Sequence, residues 1–213
     1  MLIVDDHPVV RHGFAQRLNV ETDIEVCGDA GAAHEALRQA DALQPNVIMV
    51  DISLEEGSGL DLIKDLKSRG DDVRILVVSS HDEDVYAERC LRAGAHGYLH
   101  KGQAIDRIVE AVRQVARGGY YLSSDVASRA LKLALVGNAA PAPSSSPVDL
   151  LSDRELQVFE LLGQGMTVNG IADKLFLSPK TIETYRAHLK LKLNLANSSA
   201  LLRHAMQWVL ERA

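Results

Sequence analysis

Short apolar runs alternate with amphipathic stretches through the first half of the chain. Five apolar runs, rich in Val, Ile and Leu, have the length of strands that are buried on both faces. They lie at residues 2–5, 24–27, 47–50, 75–78 and 97–99. The stretches between and after them place apolar residues at helical spacing, which predicts helices at 9–19, 31–43, 59–68, 83–93 and 103–117.

This alternation predicts an open parallel sheet with helices on both faces, because strand–helix–strand units pair their strands in parallel. We expect five strands in the order 2-1-3-4-5. Right-handed crossovers place the carboxyl ends of all these strands at one edge of the sheet, and ligands bind at that edge in open α/β folds.

The second half of the chain is helical on both sides of a stretch rich in Pro, Ala and Ser at residues 138–147. Such a composition resists both helix and strand, so it predicts a flexible linker. One helix is predicted before the linker at 123–136. Four are predicted after it, at 152–163, 167–175, 178–192 and 197–210.

Two helix starts in the last segment carry specific signals. Ser152 followed by Glu155 is a capping-box signature, and Ser178 followed by Pro179 fits an N-cap with proline at the first helical position. We therefore expect an α/β domain at 1–118, a helical extension and linker at 119–148, and a small all-α four-helix domain at 149–213.

The net charge of −6 hides a difference between the two halves. Residues 1–148 carry 15 Lys and Arg against 22 Asp and Glu (−7), whereas residues 149–213 carry 8 against 7 (+1). Within 174–192 there are five basic residues and one acidic residue. An acidic chain can bind nucleic acid only through a local basic face, and the C-terminal part is where the sequence offers one.

Other features of the sequence favour a cytoplasmic protein. No apolar run reaches the ~18 residues of a membrane span, and the apolar start of the chain leads directly into acidic residues, unlike a secretory signal. Cys27 and Cys90 lack the spacing of metal ligands or redox pairs. We expect both cysteines to be buried or half-buried thiols in a reducing compartment, and no membrane partner.

Carboxylates end two of the predicted strands. Asp5 and Asp6 follow the first strand and Asp51 follows the third, and these strands are neighbours in the order 2-1-3-4-5. Converging carboxylates must either hold protons or recruit a cation, and a hard divalent ion such as Mg²⁺ suits oxygen ligands. Ser79 and Lys101 come to the same edge. This is a set suited to phosphoryl transfer onto an aspartate, because a metal and a lysine neutralise the phosphoryl oxygens.

At these residues the chain resembles the receiver domain of response regulators, which has a flavodoxin-like fold. The resemblance covers about residues 1–118, and the separations of 45, 28 and 22 residues along Asp6, Asp51, Ser79 and Lys101 make it specific. It implies that Asp51 is the phosphoacceptor. It implies Mg²⁺ ligation by Asp6, Asp51, the Ser53 carbonyl and, through water, Asp5. It also implies that Ser79 and Lys101 contact the phosphoryl group and that Tyr98 changes rotamer on phosphorylation.

Residues 150–210 resemble the LuxR-type helix-turn-helix of NarL/FixJ-family regulators. Three segments carry the resemblance: 151–155, 165–167 and 171–186. On the helix from 178, Ile182, Tyr185, Leu189 and Leu193 share one face and are expected to pack inward. The other face is expected to enter the DNA major groove. The candidate DNA-binding residues are Ser178, Lys180, Thr181, Glu183, Thr184, Arg186, Ala187 and Lys190.

The chain departs from both family patterns. Glu55 and Glu56 stand in the loop after Asp51, where added negative charge could raise metal affinity or hinder an anionic phosphodonor. Asn169 and Gly170 replace a common Lys-Glu pair, and Tyr185 stands where histidine is frequent.

Together these features predict a phosphorylation-dependent transcription regulator. It would take its phosphoryl group from a sensor histidine kinase, bind double-stranded DNA as a homodimer and use Mg²⁺. An atypical regulator with a non-phosphorylated receiver is the alternative that the acidic loop leaves open. A phosphatase of the haloacid-dehalogenase type is disfavoured, because Ile52 and Ser53 follow Asp51 where that class needs a second Asp. No enzyme activity is expected beyond slow autodephosphorylation.

Overall fold

The computed structural model describes residues 1–54, 57–70, 72–136 and 147–212. The chain divides into two compact units, Met1–Gly137 and Asn138–Ala213. The division falls within the predicted linker at 138–147, of which residues up to 146 lie outside the described ranges, and the predicted domain boundaries stay a prediction. Among the described residues, no helix is long and apolar enough to cross a membrane.

The first unit is built from alternating strands and helices, as the hydrophobic pattern predicts. The strands are β1 (Leu2–Val4), β2 (Gly28–Ala30), β3 (Val47–Val50), β4 (Arg74–Ser79) and β5 (Gly97–His100). The helices are α1 (Pro8–Asn19), α2 (Ala33–Leu43), α3 (Gly59–Ser68), α4 (Glu83–Ala93), α5 (Lys101–Ala116) and α6 (Ser124–Val136). All six helices lie within two residues of the predicted ranges.

The five strands form one parallel sheet in the order β2-β1-β3-β4-β5, which confirms the predicted topology and the flavodoxin-like fold. The residues of β1 and β3 are almost fully buried, because helices cover the sheet on both faces. The register pairs Val4 with Val50, and further along it pairs Ser79 with His100. The residues that follow these pairs therefore meet at one edge of the sheet.

The position of the second strand corrects the sequence prediction. An apolar run predicted it at 24–27, but β2 is Gly28–Ala30, and Ile24 and Val26 instead pack against the margin of the core. A short edge strand needs few apolar residues, since one side of it faces no other strand. Gly28 packs closely on α2, and an added Cβ there would require the ends of the Gln39 and Leu43 side chains to move. Cys27 is exposed, contrary to expectation, whereas Cys90 is buried as expected.

Beyond α5 the chain returns to the sheet and to α4. Tyr121 forms a parallel bridge to Gly97 at the edge of β5. In α6, Val126 is buried, and Arg129 Nη2 lies 2.7 Å from Asp84 Oδ1 of α4. The backbone N–H of Ser123 donates to Glu83 Oε1 at 3.1 Å. The predicted helical extension is thus attached to α4 by both apolar and polar contacts.

The second unit contains four α-helices preceded by a 3-10 turn at Pro147–Leu150. The helices are α7 (Asp153–Gly163), α8 (Val168–Leu175), α9 (Pro179–Lys192) and α10 (Ser198–Leu210). The predicted capping box is confirmed, with Ser152 and Glu155 each accepting a hydrogen bond from the other's backbone N–H. Ser178 caps α9 and Pro179 occupies its first turn, also as predicted.

His96 is a buried titratable residue of the first unit. Its ring is 6% exposed and stacks on Tyr120, with ring centroids 5.7 Å apart. Nδ1 accepts a hydrogen bond from the backbone N–H of Ile75 at 3.1 Å, so this atom cannot bind a proton without breaking the bond. Burial, with the nearby charges of Lys67 and Arg74, lowers the pKa of His96 from 6.5 to about 4.

We predict that His96 makes the protein less stable as the pH falls. Because the folded-state pKa is lowered, the unfolded chain binds the proton more readily, and stability is lost between about pH 6.5 and pH 4. The wild type should lose about 2 kcal/mol more than the His96→Asn variant between pH 7 and pH 5. Asparagine can accept the Ile75 hydrogen bond without titrating. Urea unfolding at both pH values measures the difference, and equal losses in the two proteins would contradict the prediction.

Candidate functional site

The polar edge of the first unit is formed by the residues that directly follow its strands. Asp5 follows β1, and Asp51 follows β3 with its backbone N–H donating to Val4 O at 2.8 Å. Lys101 follows β5 as the first residue of α5. Gly59 packs so closely on the backbone of Asp51 that an added Cβ would overlap its carbonyl group. The sheet register therefore fixes the two buried carboxylates side by side.

Lys101 bridges the two carboxylates. Its Nζ lies 2.7 Å from Asp5 Oδ2 and 2.7 Å from Asp51 Oδ2. Both aspartate side chains are 3% exposed, and the lysine side chain is 15% exposed. A single ammonium thus offsets part of the repulsion between two buried carboxylates, which amounts to about 3 kcal/mol at a separation of ~5 Å.

The pKa values of this group reflect competition between burial and charge. Burial raises the pKa of Asp51 above its ordinary value, although the Lys101 ammonium opposes the rise. For Lys101, burial acts against the charged form, but the neighbouring Asp51 and Asp5 raise its pKa overall. Lys101 is therefore positively charged at neutral pH.

Asp6 and His7 extend the acid set toward solvent. Asp6 Oδ1 is buried and has no hydrogen-bond partner among the described residues, although His7 Nδ1 lies 2.6 Å away. One ligand atom from each of Asp5, Asp6, His7 and Asp51 lies within 4.8 Å of the others. Three carboxylates whose ligand atoms lie this close together, with one imidazole beside them, fit a hard divalent cation.

Ser79, Tyr98 and Ser53 meet at the loop that follows β4. The backbone N–H of His81 donates to Ser79 Oγ at 3.3 Å, and the Tyr98 hydroxyl donates to the His81 carbonyl at 2.7 Å. The Ser53 hydroxyl lies 2.8 Å from His81 Nε2, and the Ser53 N–H donates to Asp51 Oδ1 at 3.3 Å. Tyr98 is buried, and burial raises the pKa of its hydroxyl well above the ordinary range.

The structure thus brings together the sequence-predicted receiver residues, and it adds three that sequence reasoning missed. Arg11 donates to the Asp5 carbonyl at 2.7 Å and pairs with Asp29 at 2.6 Å, which holds the loop after β1. His7 joins the acid set, and His81 joins Ser53 to Ser79. His7 and His81 each lie within two residues of a predicted site residue, and this proximity is the signal that could have found them. Arg11 lies five residues beyond Asp6 and has no such signal. Glu55 and Glu56 lie outside the described residues.

In the second unit, α8 and α9 form the predicted helix-turn-helix. Ile182 and Leu189 are fully buried, Leu193 is nearly so, and Tyr185 is half-buried, which confirms the inward face of α9. The opposite face is exposed as predicted. It consists of Lys180, Glu183, Thr184 and Ala187.

The remaining candidate DNA-binding residues are less free than the sequence suggests. Arg186 is 20% exposed and its Nη1 lies 2.6 Å from Glu183 Oε1. Ser178 Oγ accepts from the Thr181 N–H at 3.1 Å and lies 2.8 Å from Thr181 Oγ1, so both side chains serve the helix cap. Lys190 is half-buried on the flank of α9. Gly170, one of the departures from the family pattern, donates its N–H to the Thr167 cap of α8.

Comparisons with known proteins agree with this architecture. A family model described as "Response regulator receiver domain" matches residues 1–113, and one described as "Bacterial regulatory proteins, luxR family" matches residues 149–205. The chain is 40% identical over 201 residues to the transcriptional regulatory protein UhpA of Escherichia coli K12, covering 94% of both chains. It is 35% identical over 211 residues to the response regulator GacA of Pseudomonas aeruginosa, covering 97% of this chain and 96% of GacA.

Among solved structures, the chain is similar to RcsB from Salmonella enterica serovar Typhimurium bound to promoter P1flhDC in the presence of the phosphomimetic BeF3−. The similarity has a TM-score of 0.67 with 25% identity and covers 97% of each chain. The receiver sheet, its acid set and the helix-turn-helix define a response regulator of a two-component system that controls transcription in a phosphorylation-dependent way. Within that class the chain belongs to the NarL/FixJ family.

We predict that Lys101→Met will destabilise the protein in the absence of divalent ions. Removing one partner of a buried ion pair leaves uncompensated charge and costs about 3–5 kcal/mol. The loss should be greater at pH 8 than at pH 5, since burial raises the pKa of Asp51 and a proton can neutralise its carboxylate at low pH. Millimolar Mg²⁺ should restore part of the stability. Lys64→Met on α3, where the lysine side chain is 48% exposed, is the control. Urea unfolding measures both variants, and equal effects would contradict the prediction.

Proposed function

We propose that Asp51 is the phosphoacceptor of this receiver and that a sensor histidine kinase is its phosphodonor. An Asp51 carboxylate oxygen would attack the phosphorus of the phosphohistidine, so that an O–P bond forms as the N–P bond breaks. The observation that carries the proposal is the buried Asp51 carboxylate, which shares Lys101 with Asp5 at the open edge of the sheet. An ammonium at this position suits the added charge of a phosphoryl group.

The acid set is suited to hold Mg²⁺, the ion that receiver domains bind. Asp6, Asp51 and the Ser53 carbonyl would be its direct protein ligands, with Asp5 acting mainly through water. The bound ion would neutralise negative charge on the phosphoryl oxygens, which is its general contribution in phosphoryl transfer. The ligand atoms of Asp5, Asp6 and Asp51, which lie within 4.8 Å of one another, support this assignment.

Three residues would respond to the phosphoryl group. Lys101 would exchange a carboxylate partner for a phosphoryl oxygen, and the Ser79 hydroxyl would contact another. Tyr98 would then change its environment, since its hydroxyl bonds to the loop that holds Ser79. Phosphorylation would in this way shift the population of receiver conformations. The protein carries no other predicted enzyme activity, although slow hydrolysis of its own aspartyl phosphate is expected.

We predict that Asp51→Asn will abolish phosphorylation and its effect on DNA binding. Wild-type protein treated with acetyl phosphate and Mg²⁺ should gain one acid-labile phosphoryl group, seen as a mass increase in intact-protein mass spectrometry. Its affinity for DNA in gel-shift assays should rise, whereas the variant should show neither change. Asp61→Asn on the exposed surface of α3 is a control for the loss of one charge.

Donor-stimulated DNA binding that survives in Asp51→Asn would overturn the switch assignment. It would favour the alternative, an atypical regulator that works without phosphorylation at this residue.

We further propose that α9 reads double-stranded DNA in the major groove and that two copies of the chain bind paired half-sites. Lys180, Thr184 and Ala187 lie on its exposed face together with Glu183. The N-terminal half of such a helix reaches base edges, while its lysines, Lys180 and Lys190, and the flanking Arg186 suit phosphates. Two-fold protein symmetry would match half-sites spaced about one helical turn apart.

We expect the protein to act in the cytoplasm, because the DNA that it would bind lies in that compartment.

We predict different effects for two substitutions on the exposed face of α9. Lys180→Ala should weaken binding to all sequences alike and reduce the slope of log affinity against log salt by about 1, because a phosphate contact is lost. Glu183→Gln should instead change the preferred base at one position, worth about 1–3 kcal/mol of discrimination. Selection from a random duplex library, followed by salt titrations, measures both effects. A uniform loss in both variants would argue against base reading by Glu183.

A further inference from the structure

A buried carboxylate lies in the second unit, away from the exposed face of α9. Glu155, in the first turn of α7, has a side chain that is 5% exposed. One of its oxygens, Oε2, accepts a hydrogen bond from the Ser152 N–H at 2.7 Å as part of the capping box. A buried charge is costly unless it is paired and hydrogen-bonded. The residue that pairs with the Glu155 carboxylate comes from α9.

Lys192 provides that partner from the last turn of α9. Its Nζ lies 2.7 Å from Glu155 Oε2 and donates to the Leu150 carbonyl at 3.2 Å. His188, one turn earlier on α9, has Nδ1 3.8 Å from Glu155 Oε1. Burial acts to raise the pKa of Glu155, but the Lys192 ammonium and the Ser152 N–H lower it overall. The carboxylate is therefore charged at neutral pH.

These contacts constrain α9 in a way that its apolar face cannot. Ile182 and Leu189 hold the helix against the unit, but apolar contacts have no preferred direction and tolerate small rotations. A hydrogen-bonded ion pair has a preferred distance and direction. Because Lys192 lies in the last turn of α9, far from the Ser178 cap, the pair holds the C-terminal end of the helix at the start of α7.

We propose that Glu155 and Lys192 are positioning residues for DNA recognition, which fix the orientation in which α9 meets the base edges. The inference rests on the proposed role of α9 in reading DNA. Sequence-specific binding requires the helix to hold its side chains in register with the bases, whereas non-specific binding depends mainly on the number of phosphate contacts. Loss of the pair should therefore lower specificity more than it lowers general affinity for DNA.

The variant Glu155→Gln tests the proposal in the full-length protein. Glutamine can still accept the Ser152 hydrogen bond of the capping box, so the helix start is retained. The probes are a duplex selected from a random library by the wild-type protein and a scrambled duplex of equal length. We expect affinity for the selected duplex to fall about tenfold, equivalent to about 1.4 kcal/mol. Affinity for the scrambled duplex and the salt slope should change less than about twofold.

Glu211→Gln is the matched control, because it makes the same chemical and charge change at an exposed position in the turn that ends α10. Lys192→Arg, which can keep the ion pair, should retain specificity, and Lys192→Gln should behave like Glu155→Gln. All measurements are made well below the melting temperature of each variant, so that unfolding does not contribute.

Three results would overturn the proposal. Glu155→Gln could leave the preference for the selected duplex unchanged, or it could weaken binding to both duplexes equally, as a purely structural role requires. A salt slope that falls by about 1 in Lys192→Gln alone would show that the lysine contacts a phosphate instead. If the wild-type protein enriches no sequence from the library, the proposed reading of DNA by α9 fails together with this inference.

Discussion

The first unit depends on one ammonium group held between two buried carboxylates. Asp5 and Asp51 cannot both be charged at that depth without a cation, and Lys101 supplies it from the start of α5. The arrangement would allow Lys101 to change its hydrogen-bond partners on phosphorylation. A phosphoryl group on Asp51 would offer Lys101 new oxygens, and the ammonium could follow them because it is held by charge rather than by packing.

Sheet register makes this meeting possible. Val4 pairs with Val50, so the next residues of both strands are adjacent carboxylates. Ser79 pairs with His100, so Lys101 begins α5 directly after that pair. A slip of one residue in either pairing would send these side chains to opposite faces of the sheet. The buried apolar residues of β1 and β3 therefore support the site as well as the fold, because they determine the register.

The sequence predicted the elements that bury apolar surface and missed those that do not. Strands rich in Val and Ile, and helices with apolar spacing, were located to within two residues. β2 was misplaced because Gly28–Ala30 is a short edge strand with few apolar side chains, which leaves no hydrophobic signal. The predicted acid set was assembled as expected. The roles of Arg11 and Glu155 depend on contacts between distant segments, and spacing along the chain does not encode those contacts.

The Asp51–Lys101 and Glu155–Lys192 ion pairs differ in how tightly their carboxylates are held. Glu155 Oε2 is shared between Lys192 and the Ser152 N–H at 2.7 Å each, so the carboxylate is part of both a helix cap and an interhelical contact. Asp51 receives a 2.7 Å bond from Lys101 but only a 3.3 Å bond from the Ser53 N–H. In its proposed role as phosphoacceptor, Asp51 needs a carboxylate oxygen that can leave its partner. In its proposed role, the Glu155 carboxylate orients a helix and must keep its partners. Each unit thus has the arrangement that suits its proposed role.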